Sequence, residues 1–248
     1  MYRLVFLRHG ESEWNLENRF TGWTDVDLTN KGCSEALEAG KLIKAEKLKL
    51  TTIYTSVLIR AINTMKICLK EICQKNISIK YDWRLNERHY GKLQGFNKKE
   101  MALKFGDEQV LSWRRSYSLP PPPLSLNDKR HPRFDKKYSN LTPSQLPASE
   151  SLKDTEARVL PLWNKYITKS ILNNKNVLIV AHGNSIRALI KYLDNISNHE
   201  IIGLNIPTGT PLIYELNQNL KPLNNYFLGD QSSISNKIDL ISDQGKSK

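Results

Sequence analysis

The fold is decided by Leu4-Val5-Phe6-Leu7-Arg8-His9-Gly10-Glu11-Ser12, where a short apolar run ends directly in an arginine, a histidine and a glycine. The apolar run predicts a buried parallel strand. Arg-His-Gly then lies at the carboxyl end of that strand, where open α/β sheets bind ligands. Histidine is a nucleophile that titrates near neutrality, and Arg8 offers a planar cationic fork for phosphate or carboxylate. The stretch therefore indicates phosphoryl transfer through His9, with an ordinary solvated turn as the plainer interpretation.

The same pattern occurs a second time near residue 180. The apolar run Val177-Leu178-Ile179-Val180-Ala181 ends in His182-Gly183-Asn184, so two of the five histidines directly follow a predicted buried strand. If both strands are parallel members of one sheet, their carboxyl ends meet at the same edge and the two histidines face each other. This coincidence favours a functional site over two unrelated turns.

The composition favours a soluble globular enzyme. With 248 residues the chain can bury a sizeable core, and its 39% apolar residues include no run of membrane-spanning length. No signal-peptide pattern opens the sequence and the three cysteines lack metal-site spacing, so we expect a cytoplasmic protein with reduced thiols and no membrane partner. The net charge of +12 suits nucleic acid or small polyanions. Because the lysines are spread along the chain, small anionic substrates are favoured.

Alternating strand and helix patterns predict one α/β domain with a doubly wound, mainly parallel sheet flanked by helices. It spans residues 1–229 and includes a long proline-rich insertion at 118–150, which cannot form a helix or a central strand. Residues 230–248 are a polar tail, for which the composition favours a disordered end. Thr29 is predicted to cap the first long helix, and Ser56 the helix after the second strand. Ser151-Leu152-Lys153-Asp154 predicts the start of a later helix, close to the capping-box pattern, and Pro161 is predicted to bend that helix.

Further charged side chains recur near the predicted strand ends. Arg60 lies in the first turn of a helix, Glu87 lies in a loop with cations, a phenol and glycines, and Arg114 and Arg115 follow a tryptophan. Glu87 fits general acid/base catalysis, and paired arginines fit an oxyanion clamp. A solvated salt bridge and a basic helix face are the plainer interpretations. The sequence shows neither the spacing of a metal-ligand cluster nor a phosphate-binding glycine loop. This favours phosphoryl transfer without a metal, in which the protein positions the reacting groups and stabilises their charge.

A larger set of motifs extends from Met1 to about Gly229. The set comprises Arg8-His9-Gly10-Glu11-Ser12-Glu13-Trp14-Asn15, Phe20-Thr21-Gly22-Trp23, Leu85-Asn86-Glu87-Arg88-His89-Tyr90-Gly91, Trp113-Arg114-Arg115, Ala181-His182-Gly183-Asn184-Ser185 and Asn205-Ile206-Pro207-Thr208-Gly209. In this order it resembles the cofactor-dependent phosphoglycerate mutases of the histidine phosphatase superfamily. The resemblance implies interconversion of 2-phosphoglycerate and 3-phosphoglycerate, in glycolysis and gluconeogenesis, through a phosphohistidine and bound 2,3-bisphosphoglycerate, without a metal.

The same resemblance implies a role for each matching residue. His9 becomes the phosphohistidine, Glu87 moves the proton of the substrate hydroxyl, and His182 and Arg8 stabilise the transferring phosphoryl group. The phosphate sites would be formed by Ser12, Asn15, Thr21, Gly22, Arg60, Gly183 and Asn184. The carboxylate and the distal phosphate would be held by Tyr90, Lys98, Arg114 and Arg115. The expected partners are small phosphorylated three-carbon acids and further copies of the chain, in a homodimer or larger homo-oligomer.

Two alternatives stay open at this point. A phosphatase of the same superfamily would use His9, His182 and Arg8 with water as the acceptor, although it has less need of the Glu87 loop and the paired arginines. A basic nucleic-acid-binding protein is the remote alternative, which a salt-dependent binding assay would expose.

The resemblance also implies that the tail beyond Gly229, with Lys246 and Lys248, covers the pocket and keeps water from the phosphohistidine.

Overall fold

A single mixed sheet organises the computed structural model, which describes residues 1–174 (Asn174 by its backbone alone) and 176–244. The strands are β1 (Tyr2–Arg8), β2 (Thr52–Thr55), β3 (Ser78–Tyr81), β4 (Asn176–Ala181), β5 (Pro211–Leu216) and β6 (Pro222–Phe227). Their order in the sheet is β3-β2-β4-β1-β5-β6. The first four strands are parallel to one another, whereas β5 and β6 are antiparallel to their neighbours. The predicted α/β architecture with a mainly parallel sheet is confirmed.

Helices cover both faces of this sheet. They are α1 (Glu13–Leu16), α2 (Asn30–Ala45), α3 (Ile59–Ile72), α4 (Lys98–Phe105), α5 (Asp107–Arg115), α6 (Leu152–Leu162), α7 (Thr168–Asn174), α8 (Gly183–Leu193) and α9 (Gln231–Asp243). Side-chain caps fix several starts: the Thr29 hydroxyl accepts from Gly32 N at 3.0 Å, and Ser151 and Asp154 form the predicted capping box. None of the helices in the described residues is both long and apolar enough to cross a membrane.

The alternation of β1 divides the core into two layers. Leu4 and Phe6 pack into a cluster with the side chains of α6 to α8, and Val5 and Leu7 pack into a second cluster with those of α2 and α3. Successive strand residues point to opposite faces, so an unbroken apolar run marks a strand buried on both sides. This burial fixes the register that places Arg8 beside Ala181 at the sheet edge.

The helix around Pro161 changes from an α-helical to a π-helical hydrogen-bond pattern. It is α-helical to Leu162, passes through a π-helical turn at Trp163–Ile167, and continues as α7. Proline has no N–H to donate to the preceding turn, which weakens the regular pattern there, and the π turn follows within two residues.

The proline-rich insertion packs on the domain. Residues 132–145 contain short 3₁₀ turns rather than helices or strands. The buried Tyr138 hydroxyl accepts from Asn86 Nδ2 at 2.9 Å, and Lys92 N donates to Pro122 O at 2.8 Å. These contacts hold the insertion against the loop that contains Glu87.

The tail forms helix α9 where composition favoured a disordered end. Asp230 caps the helix by accepting from Ser233 N at 2.7 Å, and the side chain of Ile234 is buried. The polar composition of the segment did not indicate this helix, because the helix depends on contacts with the rest of the domain. Lys246 and Lys248, which the tail prediction invoked, lie outside the described residues.

Candidate active site

His9 lies at the sheet edge beside the end of β4. Its backbone N donates to Ala181 O at 3.0 Å, and its Nδ1 lies 2.7 Å from Gly10 O. A carbonyl can only accept, so Nδ1 bears the proton and Nε2 keeps the lone pair that a nucleophile needs. Burial, followed by the charges of Arg60 and Arg8, lowers the pKa of His9 well below its ordinary value. The imidazole is therefore neutral and nucleophilic at neutral pH.

Gly10 allows the backbone beside His9 to pack closely against α2. A Cβ on Gly10 would lie 2.2 Å from the carbonyl oxygen of Gly32, so no side chain fits between β1 and the start of α2. The Gly10 N–H donates to Thr64 Oγ1 at 3.0 Å. The close approach of two backbones explains why the histidine is followed by glycine.

His182 packs directly against His9, as the two-strand pattern predicts. The ring centroids are 4.9 Å apart, and the side chain of His182 is fully buried. Its Nε2 lies 2.7 Å from Ser56 Oγ, which itself accepts from Leu58 N at 3.2 Å. Burial, then Arg60 and His9, lowers the pKa of His182 well below its ordinary value. His182 thus supports the reacting edge from behind His9.

Ser56 corrects one prediction made from the sequence. The cap position of α3 is Leu58, which makes no side-chain capping bond, and Ser56 instead contacts His182. The hydroxyl of Ser56 already accepts from the backbone, so its proton is available for His182 Nε2. Ser56 therefore orients a site histidine, a role that only the three-dimensional register of β2 and β4 reveals.

Two buried arginines flank the histidines. Arg8 Nη1 donates to Ile206 O at 2.7 Å, and Arg60 donates to Thr24 O at 2.9 Å and Gly22 O at 2.8 Å. Burial lowers the pKa of Arg8 and lowers that of Arg60 to about 10. Backbone carbonyls hold both guanidinium groups without neutralising them, which leaves their charge for a ligand anion.

Glu87 lies in a loop that a buried ion pair clamps in place. Arg158 Nε and Glu150 Oε1 are 2.6 Å apart, and Arg158 Nη2 also donates to Glu87 O at 2.9 Å. The carboxylate Oε1 of Glu87 accepts from Arg88 N at 2.8 Å and from Asn184 Nδ2 at 2.8 Å. A fixed carboxylate that lines a pocket beside a nucleophile is suited to proton transfer.

A second part of the pocket wall, called the distal end below, is formed by cations from α4 and α5. Lys98 and Arg114 are nearly buried, at 8% and 7% exposure. Burial, then Arg114 and Arg8, lowers the pKa of Lys98 well below its ordinary value, and burial lowers the pKa of Arg114 to about 10. Arg115 Nη2 contacts Ile241 O at 3.4 Å, and Lys98 Nζ contacts Gln244 Oε1 at 3.2 Å. Helix α9 therefore closes this end.

One pocket gathers most of these groups, and the space between its walls is about 650 Å³ when the open mouth is included. Its walls are Arg8, His9, Asn15, Arg19, Phe20, Thr21, Arg60, Glu87, Tyr90, Lys98, Arg114, Arg115, Gly183, Asn184, Arg187, Ile206, Ile241 and Gln244. Arg19 is paired with Glu17, and Glu87 is the one carboxylate in this lining. No cluster of metal-ligating side chains occurs in residues 1–174 and 176–244. The pocket is a strongly cationic cavity suited to a ligand with several anionic groups.

The family follows from the sequence of the whole domain. A model of the histidine phosphatase superfamily (branch 1) matches residues 4–128 and 124–226. The chain belongs to the histidine phosphatase superfamily. The enzymes of this superfamily transfer phosphoryl groups through a histidine.

Solved structures of other members share this fold. The chain is similar to a mycobacterial glucosyl-3-phosphoglycerate phosphatase, with 21% identity, 92% of this chain and 97% of that chain covered, and a TM-score of 0.69. It is also similar to Bacillus stearothermophilus YhfR, with 24% identity, 87% of this chain and 92% of that chain covered, and a TM-score of 0.65. A third similar structure is the alpha-ribazole phosphatase of Shigella flexneri, with 20% identity, 90% of this chain and 94% of that chain covered, and a TM-score of 0.65. At these identities the likeness establishes the shared histidine phosphatase fold. The two neighbours named by activity are phosphatases.

The superfamily fold brings most of the predicted site residues to the pocket wall. Ser12, Gly22 and His182 are the members of the predicted set outside the lining. Ser12 Oγ donates to Asn15 Oδ1 at 3.0 Å at the start of α1, and the Gly22 carbonyl supports Arg60. Ser12 and Gly22 therefore position neighbouring side chains of the pocket wall.

The sequence analysis missed part of the same wall. The missed residues are Arg19, Phe20, Arg187, Ile206, Ile241 and Gln244. Arg187 had a usable signal, because it lies three residues after Asn184 on the same face of a predicted helix. The residues themselves gave no signal for Ile241 and Gln244, although the resemblance implied that the tail beyond Gly229 covers the pocket.

Proposed function

We propose that this chain interconverts 2-phosphoglycerate and 3-phosphoglycerate through a phosphohistidine at His9. The observation on which the proposal depends is the surplus of positive charge in the lining of one pocket. Arg8 and Arg60 act on His9, and Lys98, Arg114 and Arg115 line the distal end of the same pocket. A simple monoester phosphatase needs cations mainly around the transferring phosphoryl group. A substrate with a phosphate and a carboxylate needs them at both ends.

The same donor set fits 2,3-bisphosphoglycerate as the primer. Buried Nε atoms of Arg8 and Arg60 have no hydrogen-bond partner among the described residues. Unpaired buried donors favour a polyanionic ligand because each acceptor that they gain offsets a desolvation cost. When bound, 2,3-bisphosphoglycerate would supply the phosphoryl group that loads His9, and Arg8, Arg60, Lys98, Arg114 and Arg115 would hold its anionic groups.

The residues divide the work of transfer. His9 Nε2 attacks the phosphorus of a monoester, a N–P bond forms, and the P–O bond to the substrate breaks. Glu87 gives its proton to the departing oxygen and takes a proton from the hydroxyl that attacks phospho-His9 in the return step. His182, Arg8 and Arg60 stabilise the charge on the transferring group. Helix α9 limits the access of water, because Ile241 and Gln244 complete the pocket wall.

A phosphatase is the second candidate, and the structural neighbours support it. Their named activities include glucosyl-3-phosphoglycerate phosphatase and alpha-ribazole phosphatase. The same His9 would be phosphorylated, and water rather than a second hydroxyl would attack it. The two functions therefore differ in the acceptor and in what the distal cations and α9 do.

A turnover assay separates the two functions. The protein is incubated with 3-phosphoglycerate, with and without 2,3-bisphosphoglycerate, in the presence of a chelator, and both 2-phosphoglycerate and inorganic phosphate are measured. The mutase predicts 2-phosphoglycerate that is stimulated by 2,3-bisphosphoglycerate, with little phosphate release. Stoichiometric phosphate without 2-phosphoglycerate would contradict the proposal and support the phosphatase.

A further inference from the structure

We propose that Arg187 is a positioning residue, which holds the side-chain amide of Asn184 in one orientation and thereby keeps the transferable proton of Glu87 on Oε2. The inference rests on the acid/base role of Glu87 in the proposed function. It concerns a residue that neither the sequence motifs nor the pocket chemistry required.

Arg187 fixes the orientation of the amide because a guanidinium group can only donate. Its Nη1 donates to Asn184 Oδ1 at 2.8 Å, and its Nη2 donates to Ile201 O at 2.5 Å. The amide oxygen must therefore face Arg187, and the amide nitrogen faces the other way. Asn184 Nδ2 donates to Glu87 Oε1 at 2.8 Å and to the Tyr90 hydroxyl at 3.1 Å.

This orientation makes the two carboxylate oxygens of Glu87 unequal. Oε1 accepts from Arg88 N at 2.8 Å, Asn184 N at 3.1 Å and Asn184 Nδ2 at 2.8 Å. An oxygen that faces three donors is a poor place for a proton. Oε2 accepts no hydrogen bond from the described residues, and it lies 3.6 Å from the position that a Cβ on Gly183 would take, next to Arg8. The proton is therefore directed to the oxygen beside the reacting groups.

The fixed orientation of the Asn184 amide matters most when the Glu87 carboxyl group is neutral. A free amide would then turn its oxygen towards Glu87 and accept a proton from Oε1, which would direct that proton away from the substrate. Arg187 prevents this turn, because its Nη1–H group would then meet the amide N–H groups of Asn184. The three side chains thus form a chain in which the outermost residue sets the proton position of the innermost.

The burial of Arg187 supports a functional reason for its charge. Its side chain is 3% exposed, and no carboxylate within the described chain lies within ion-pair distance of it. Burial lowers its pKa to about 9. Burying a cation without a paired carboxylate is costly, so an apolar residue would serve packing better at this position.

The test compares two phosphoryl donors in the first turnover. The alkoxide that leaves 2,3-bisphosphoglycerate needs a proton, whereas p-nitrophenolate leaves p-nitrophenyl phosphate without one. In Arg187→Met the rate at which 2,3-bisphosphoglycerate loads His9 in the first turnover should fall by up to about 10²-fold, with KM and the p-nitrophenyl phosphate rate nearly unchanged. Equal losses with both donors, or a rise in KM alone, would overturn the proposal and assign Arg187 to anion binding.

A double variant, which combines Arg187→Met with Glu87→Gln, shows whether Arg187 acts through Glu87. In Glu87→Gln the proton is already lost, so adding Arg187→Met should leave the ratio of the two donor rates unchanged. A further alkyl-specific loss in the double variant would overturn the proposal.

The milder Arg187→Lys keeps the test usable if the methionine variant does not fold. One amine cannot hold both Asn184 and Ile201, so a smaller alkyl-specific loss is expected, and no loss would count against the proposal. Because loading of His9 by either donor precedes the choice between a hydroxyl and water as acceptor, failure of the mutase assay would leave this result interpretable.

Discussion

The two ends of the pocket are held in different ways. At the His9 end, backbone carbonyls fix Arg8 and Arg60 at 2.7 to 2.9 Å. At the other end, Lys98 and Arg115 contact the tail helix at 3.2 and 3.4 Å. The first set of contacts belongs to the sheet edge and its loops, and the second joins side chains to the end of the chain.

This difference suggests how one fold serves several reactions. The His9 end is preorganised, so it supplies the phosphohistidine chemistry that members of the superfamily share. The contacts of the distal cations are long, so a ligand anion can replace them at little cost. We infer that the distal end and α9 decide which acceptor receives the phosphoryl group.

Removal of His9 should give the largest effect. His9→Ala removes the nucleophile, so both mutase and phosphatase rates should fall, on the order of 10⁶-fold. Phosphate transferred from 2,3-bisphosphoglycerate should be mapped under alkaline conditions by mass spectrometry, on His9 in the unchanged protein and nowhere in the variant. Retained activity, or label on another residue, would show that the preorganised end has been misassigned.

A distal substitution should have a smaller and more selective effect. Arg115→Met removes a cation that the proposed function assigns to the carboxylate or distal phosphate, so the KM for 3-phosphoglycerate should rise about 10-fold or more, as expected for one charged hydrogen bond. The exposed Lys104→Met is the matched control. Turnover of p-nitrophenyl phosphate should change little in either variant. If it falls together with the 3-phosphoglycerate rate in Arg115→Met, the two ends are not separable.

The buried histidines predict a pH effect on stability. The folded-state pKa values of His9 and His182 lie below the ordinary value, so the unfolded chain binds more protons as the pH falls through about 6.5. The free energy of unfolding should therefore fall below that pH, by about 1.4 kcal/mol per unit for each histidine. Denaturant unfolding at pH 7.5 and 5.5 measures this, and His182→Asn should flatten the slope. An identical slope in the variant would show that burial does not lower the pKa of His182.

The sequence predicts the His9 end well for a physical reason. A strand buried on both faces has an unmistakable apolar pattern, and parallel strands end at one edge. His9 and His182 could therefore be placed together before their coordinates were known, and the observed pairing of β1 with β4 confirms this. The helix caps at Thr29 and Ser151 are equally local and were also predicted.

The distal end is harder to predict because its contacts join residues far apart in the chain. Lys98 meets Gln244 across 146 positions, and Arg115 meets Ile241 across 126. A polar helix such as α9 has no strong pattern of its own, so its composition resembles a disordered tail. The role of Ser56 was missed for the same reason, since its partner follows a different strand.

The most direct test of the account is the partition between mutase and phosphatase activity when α9 is removed. The chain is truncated after Gly229, and 2-phosphoglycerate formation and phosphate release are measured on one preparation whose melting curve matches that of the full chain. If α9 shields phospho-His9 from water, the mutase rate falls while phosphate released per turnover rises. An unchanged ratio of the two activities in the folded truncated protein would contradict the claim that the distal end selects the acceptor.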